Sequence, residues 1–370
     1  MNALAHQLVR AGLLLAALTG AASAEPVNAI DSLGRSVALA APARRILLAA
    51  GRDLPALALI DKDVATRIVG IGQDLRRQSP DVWRAYERAY PRLAELPVME
   101  TGPGGFPAER AIALGPDLVI LGRTQAGSPD ADGSTPLLRA LGAAGIAAAV
   151  IDFHEHPLRD TAPAMRALGR LLGREREADE FNAFVAAHLA AVAVRLRGAR
   201  DAPVLFLHTH AGAMACCFSP GQGTFNDDIL AAGGRNAAAP LLPGATGQIS
   251  PEALLSLDPT IYVATGGAHL ADKGGLVLGD GVDRAAAHTA LEAILRAPGL
   301  APLSAVKAGR AYGLWHGFST SPLNVLAVEV MAKWLHPELM EDVDPARTLA
   351  EINARFLAVP MDGAYWVALR

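Results

Sequence analysis

Two stretches of this chain carry the same pattern. ERAIALGPDLVI runs from Glu109 to Ile120, and EALLSLDPTIYV runs from Glu252 to Val263, 143 residues further on. Each follows a proline, Pro107 or Pro251, and in each the glutamate precedes a second proline, Pro116 or Pro259, by seven residues. An early proline presets the helical backbone, an early glutamate complements the positive end of the helix dipole, and the later proline ends the helix before a β-rich run. The same helix-to-strand unit therefore occurs once in each half. A chain that uses it twice is expected to build two similar α/β halves.

The rest of the first half keeps this rhythm. RRILLAA (44–50), RIVGIG (67–72), PVMETG (97–102), DLVILG (117–122) and IAAAVIDF (146–153) read as short apolar strands, with helical segments at DLPALALI and near 136–145. Short apolar strands alternating with helices predict a mostly parallel sheet covered on both faces. From 158 to 200 the pattern turns helical, interrupted at Gly169 and Gly173. Phe181, Phe184, His188 and Val192 fall near one face there, so His188 reads as a packed residue rather than a ligand. The second half restarts at APVLFLHTH and continues through TFNDDILAAGG, the second copy of the repeat, a helical region over 285–296, RAYGLWHGF and the helix SPLNVLAVEVMAKWLHPEL.

The predicted fold class is thus α/β, with two three-layer lobes whose mostly parallel sheets are joined by a long helix. The expected N-terminal lobe spans 25–157, the connecting helical segment 158–200, and the C-terminal lobe with its terminal helices 201–370. A chain of this length has room for a separate core in each lobe. A cleft between the carboxyl ends of the two sets of strands is the expected ligand site.

The chain opens MNALAHQLVR and continues AGLLLAALTGAASA before its first acidic residue, Glu25. A basic residue at Arg10, a short apolar centre and the small residues Ala22-Ser23-Ala24 are the parts of a secretory signal, so 1–24 is expected to be removed on export. No later run approaches the roughly 18 consecutive apolar residues that span a bilayer, so no direct membrane insertion is expected after cleavage. The 33 basic and 37 acidic residues leave a formal charge of -4, with no long basic run or aromatic-basic interleaving, which argues against nucleic acid as a partner. The two cysteines are adjacent, at Cys216 and Cys217. In an oxidising compartment they form either a vicinal disulfide or two free thiols, and both remain open at this stage.

DSLGRSVALAAPARRILLA, the two glutamate-bearing helix starts, APLSAVKAGRAYGL and VMAKWLHPEL, taken in order, resemble the exported substrate-binding proteins of ABC importers for iron complexes. That family includes siderophore, haem and cobalamin binders, and the resemblance covers nearly the whole chain after the signal. It implies a class III periplasmic-binding-protein-like fold in the periplasm, with a helical connection that limits lobe closure. It also implies a receptor without catalysis or intrinsic cofactor, one that delivers a small-molecule iron chelate to an inner-membrane ABC permease. An Fe(III)-siderophore is the expected transported ligand, with haem or cobalamin as the alternative. In this family an acidic residue on each lobe docks on basic permease residues, and Glu109 and Glu252 match those positions. Read without the family, the same two side chains need do no more than complete helix starts.

A receptor for such a complex contacts the whole chelate, so donors and aromatic walls matter more than metal ligands. Arg52, in GRD, and Arg123, in LVILGRTQAG, follow strands and can offer guanidinium donors to chelate oxygens. Phe106, in TGPGGF, offers an apolar wall. In the second lobe HTHAGAMACCFSPGQGTF supplies His210, Cys216, Cys217 and Phe218. The cysteines would form a rigid uncharged surface if oxidised, or soft metal ligands if not. LWHGFSTSP supplies Trp315, His316 and Phe318, an imidazole between large apolar groups. His316 or His210 is the axial ligand to consider were haem the guest. TGGAHLADKGG reads as a flexible cleft loop.

His154 and His156 in DFHEHP, and His208 and His210 in LHTH, alternate along the chain. On an extended strand each pair would share one side, which raises zinc binding as an alternative. No third ligand is placed by spacing, and no metal site is assigned. The nucleophile elbow, the phosphate loop, the zinc-protease helix and a dinucleotide loop after the first strand are missing from the sequence, so no catalytic residue is assigned.

Overall fold

A computed structural model of the chain describes residues 26–100, 105–214 and 216–370. The predicted signal over 1–24 and residues 101–104 of the glycine-rich loop lie outside the described residues. An antiparallel hairpin, β1 (Val27–Ile30) and β2 (Ser36–Leu39), opens the described chain. Then β3 (Ile46–Leu48), β4 (Ile68–Gly72), β5 (Val98–Met99), β6 (Leu118–Leu121) and β7 (Ala147–Val150) form a parallel sheet in the order β5-β4-β3-β6-β7. Every residue of β3 and β6 is buried, which is why these central strands are continuous apolar runs rather than alternating ones.

The second half repeats the plan. In chain order come β8 (Val204–His208), β9 (Phe218–Pro220), β10 (Arg235–Asn236), β11 (Thr246–Gln248) and β12 (Ile261–Gly266). They are followed by β13 (Gly279–Asp280), β14 (Ala311–Trp315), β15 (Gly363–Ala364) and β16 (Trp366–Ala368). The main sheet has the order β10-β8-β12-β14-β16, parallel except for β16 at its edge. The pairs β9 with β11 and β13 with β15 are small antiparallel ribbons beside it.

The duplicated segment occupies equivalent places. The helices Ala108–Ala113 and Pro251–Leu257 carry Glu109 and Glu252 in their first turns, both exposed, and lead into β6 and β12. Each ends on a left-handed residue, Gly115 at φ +56° and Asp258 at φ +36°. Asp258 bears this costly conformation because its carboxylate accepts the Ser304 N–H at 2.8 Å and the Ser304 hydroxyl at 2.6 Å.

Helices Pro157–Leu172 and Glu175–Leu196 join the lobes, separated at Gly173, which is left-handed at φ +65°. Phe181 and Phe184 face inward and pack against Phe356, the first edge-on and the second tilted, each with a ring-centre distance of 5.3 Å. His188 is a polar tie on that face, its Nδ1 2.7 Å from Glu329 Oε1 on the helix Asn324–Leu335. The expectation of a separate core in each lobe is corrected here. One face of the N-terminal sheet, the two joining helices and the C-terminal lobe share a continuous cluster of buried apolar side chains, while the other face of the N-terminal sheet has its own cluster. The joining helices are apolar toward both lobes, and their burial welds the halves together.

The lobes also touch directly. Thr224 N–H donates to Glu155 O at 2.8 Å, and Asp280 N–H donates to the Asp81 carboxylate at 2.8 Å. Both seams need glycine. A Cβ at Gly223 (φ +68°) would overlap Glu155 O, and one at Gly279 (φ +130°) would overlap the Asp81 carboxylate.

Candidate functional site

The carboxyl ends of the parallel strands in both lobes face each other across a cleft of about 390 Å³. Arg52, Gln78, Ser79 and His154 line it from the N-terminal lobe. His210, His269, Lys273, Trp315 and His316 line it from the C-terminal lobe, with Met214 at one edge.

Each of these side chains is positioned locally. Arg52 lies in the one-turn 3-10 helix Gly51–Asp53 after β3, where Asp74 accepts the backbone N–H groups of Gly51 at 2.7 Å and Arg52 at 3.3 Å. His154 follows β7, and the Asp152 carboxylate accepts its backbone N–H at 3.1 Å. Its ring Nδ1 is 2.8 Å from Ser319 O. A carbonyl oxygen can only accept, so Nδ1 is the donor in this contact and Nε2 is the ring nitrogen left for the cleft. His210 follows β8 at φ +50°, and its backbone N–H donates to Thr265 Oγ1 at 3.1 Å. The same hydroxyl is 2.9 Å from His316 Nδ1. The His210 ring centre lies 3.9 Å from that of His316 and 5.4 Å from that of His269.

Burial sets the charge state of this cluster. Desolvation lowers His210 to about 4, with the neighbouring His269 and Lys273 adding to the effect. Burial and Lys273 also lower His269, and burial together with the surrounding imidazoles holds His316 well below the usual histidine range. These three rings are therefore neutral at pH 7 and present N–H donors and lone pairs, while Arg52 and Lys273 supply positive charge. Among the described residues no group of three His, Cys, Asp or Glu side chains is arranged to hold a bare metal ion.

Of the residues singled out by sequence, Arg52, His210, Trp315 and His316 line the cleft. The others stand elsewhere. Arg123 is spent within its own lobe, its Nε 3.1 Å from Asp152 and 3.2 Å from Glu155 and its Nη2 donating to Ser32 O at 3.0 Å. It braces the loop that carries His154. Phe106 is buried in the N-terminal core with Leu47 and Val119. Phe318 is fully buried and meets Trp315 edge-on at 5.2 Å, so it supports the cleft wall from behind. Cys216 and Cys217 are joined in a disulfide; Cys217 is buried, and Cys216 lines a different cavity. Phe218 opens β9 and is partly buried against the β11 ribbon.

The alternating histidine pairs do not stay together, because neither lies wholly on an extended strand. His154 reaches the cleft while His156 turns to Asp227 at 3.3 Å. His208 ends β8 with its Nδ1 2.7 Å from Tyr262 Oη, whereas His210 has left the strand for a left-handed turn. Sequence reasoning passed over His269 and Lys273 as individuals. Their signal was present, since TGGAHLADKGG follows β12, the strand equivalent to β6, and was expected to edge the cleft.

A family model described as Periplasmic binding protein matches residues 57–315. The chain belongs to the periplasmic binding protein family. Among solved structures, the TroA-like periplasmic binding protein FepB from Veillonella parvula is similar at 26% identity and a TM-score of 0.81, over 93% of this chain and 100% of that one. The molybdate periplasmic binding protein MolA of Haemophilus influenzae is similar at 17% identity and a TM-score of 0.67, over 91% and 99% of the two chains. A periplasmic heme binding protein from Pseudomonas aeruginosa is similar at 21% identity and a TM-score of 0.54, over 80% and 94%. These last two share the fold. No curated protein sequence matches.

This periplasmic binding protein has the class III architecture, two α/β lobes joined by long helices, and is an extracytoplasmic, non-catalytic receptor of the ABC-importer class. Among the described residues no helix is long and apolar enough to cross a membrane.

Proposed function

We propose that this periplasmic binding protein captures a ferric siderophore in its cleft and delivers it to an inner-membrane ABC permease. One observation carries the reading: four imidazoles converge there, His154 from one lobe and His210, His269 and His316 from the other, beside the cations Arg52 and Lys273. An iron chelate presents oxygen-rich, negatively charged edges. Two cations and several ring N–H groups suit those edges, and a neutral imidazole can occupy a metal position that the chelator leaves open. Trp315 and Met214 offer apolar surface to the organic frame. The cavity is of a size that takes one small ligand.

Glu109 and Glu252 are proposed as the permease-docking contacts. Their exposure on equivalent helices of the two lobes supports this, because two like charges at matching places can orient the receptor on a two-fold partner.

Calorimetric titration with a ferric dihydroxamate, a ferric tricatecholate, haem, cobalamin, molybdate and zinc tests the ligand. Saturation at one equivalent by a ferric siderophore is expected. Saturation by haem, cobalamin, molybdate or bare zinc, with no response to either ferric chelate, would overturn the assignment.

A further inference from the structure

Behind the cleft the C-terminal lobe holds a second cavity of about 640 Å³. The two spaces are divided where the turn after β8 meets the loop after β12: a Cβ on Gly212 would sit 2.8 Å from Gly274 O. Met214 lines both cavities, and its side chain is 42% exposed, unusual for a large apolar residue. At Met214 a flexible thioether borders both spaces, the side chain best able to repack around a guest.

The far walls are apolar: Ile294, Leu300, Ala297 and Pro251, with Cys216 beside them. Because Cys216 is bonded to Cys217, that wall carries neither a thiol nor a thiolate. His208 also lines the cavity, and its Nδ1 is committed to Tyr262 Oη. Arg296 stands at the exposed rim beside Glu292, 3.7 Å away. Among the described residues the lining holds no carboxylate or ammonium, and its one guanidinium, Arg296, is at the exposed rim. The cavity's chemistry is that of a pocket for a hydrocarbon chain, open to water at the rim formed by Ala293, Arg296 and Ala297 and adjoining the cleft at Met214.

We infer that this cavity is a second subsite, and that it takes an alkyl or acyl chain attached to a chelate whose metal-bearing head lies among the cleft imidazoles. The inference rests on the proposed receptor function and narrows it to amphipathic chelates. It also gives the cysteine pair a place: the disulfide is a wall of the chain subsite rather than a contact of the chelate head.

The test titrates the full chain with ferric complexes of one linear dihydroxamate carrying no tail or a butyl, hexyl or octyl tail. Each methylene buried should tighten binding roughly fourfold until the cavity is full. Ala293→Trp places an indole in the cavity from an exposed position on the helix Arg284–Leu295, and Ala297→Trp does so from the exposed bend just after that helix. Either should remove the gain with tail length and leave the untailed complex bound as before. Two variants keep the test intact should one fold poorly. Affinity independent of tail length in the unaltered protein would overturn the inference, as would a gain that survives both substitutions. Lost transport by the variants with chain-length dependence unaltered would assign the cavity to a permease segment and also overturn it. If no chelate binds, the receptor reading fails, and octanoate alone decides the cavity. Octanoate binding abolished by Ala293→Trp would support an alkyl site, and no octanoate binding would remove it.

Discussion

The rings of His210 and His316 lie 3.9 Å apart, and Thr265, on the strand between theirs, bonds to the backbone of one and the ring of the other. A single buried hydroxyl thus sets both the left-handed turn that carries His210 and the orientation of the His316 ring. Thr265→Val keeps the shape and removes the hydroxyl. It should cost about 1–3 kcal/mol, the penalty of leaving a buried N–H unpaired, and weaken ferric chelate binding roughly tenfold by loosening two rings at once. Urea unfolding and calorimetry check the two effects; unchanged affinity would detach this hydroxyl from the site.

His208 makes stability depend on pH. Burial lowers it to about 4, while the unfolded chain titrates near 6.5. Both states are largely neutral above that range, so the group's titration contributes almost nothing at pH 7. As pH falls from about 6.5 to about 4 the unfolded state takes a proton that the folded state refuses, and stability drops. The loss from this residue reaches about 3 kcal/mol by pH 4. His208→Gln should therefore gain on the parent by about that amount between pH 7 and pH 4, measured by urea unfolding at both.

Asp228 acts in the opposite sense. Full burial raises its carboxyl to about 8, although Asn324 donates to it at 3.1 Å. From about 4 up to about 8 the folded state holds a proton that the unfolded state has released. Its contribution is therefore complete at low pH and lost as pH rises through 8. Asp228→Asn removes the titration and should be more stable than the parent by a few kcal/mol at pH 8, with the difference shrinking toward pH 4. A pH-independent difference would contradict this.

The seam between lobes at Gly279 is open to a matched comparison. Gly279→Ala meets both a left-handed backbone and the Asp81 carboxylate, whereas Gly34→Ala, at φ +77°, meets only the backbone because nothing lies within 4 Å. The first should destabilise by about 2–4 kcal/mol and the second by about 1 kcal/mol. Equal shifts in the urea midpoint would show that the lobes do not bear on each other there.

Glu109→Ala combined with Glu252→Ala should reduce transport strongly, while ligand affinity stays within twofold, since both side chains are exposed and away from the cleft. Uptake measured at matched protein levels, alongside titration, checks this. Normal uptake by the double variant would remove both residues from docking.

Much of the architecture was legible because it is written in short-range terms. A proline before Glu252, an apolar helix face and a left-handed stop at Asp258 are local preferences, and β12 follows from them. The inward face of Phe181 and Phe184 was legible for the same reason, being set by helical period. The cleft was less so. Arg52 and Arg123 both follow central strands, yet one faces the cleft and the other is held by Asp152 and Glu155, residues that reach it only when β6 and β7 pair. Phe318 and Trp315 are three residues apart and both pack on Tyr365, yet only Trp315 lines the cleft while Phe318 is buried behind it, a distinction their spacing does not carry.

The linear sequence by itself determined the duplicated α/β plan, the helical connection and the candidate loops at strand ends, because these depend on periodicity and turn chemistry within a few residues. Tertiary structure alone decided that His154, His210, His269 and His316 meet, that burial keeps the rings of His210, His269 and His316 neutral, and that one core runs through both lobes. Those are properties of atoms brought together across more than 160 residues of chain between His154 and His316, and desolvation has no magnitude until that burial exists.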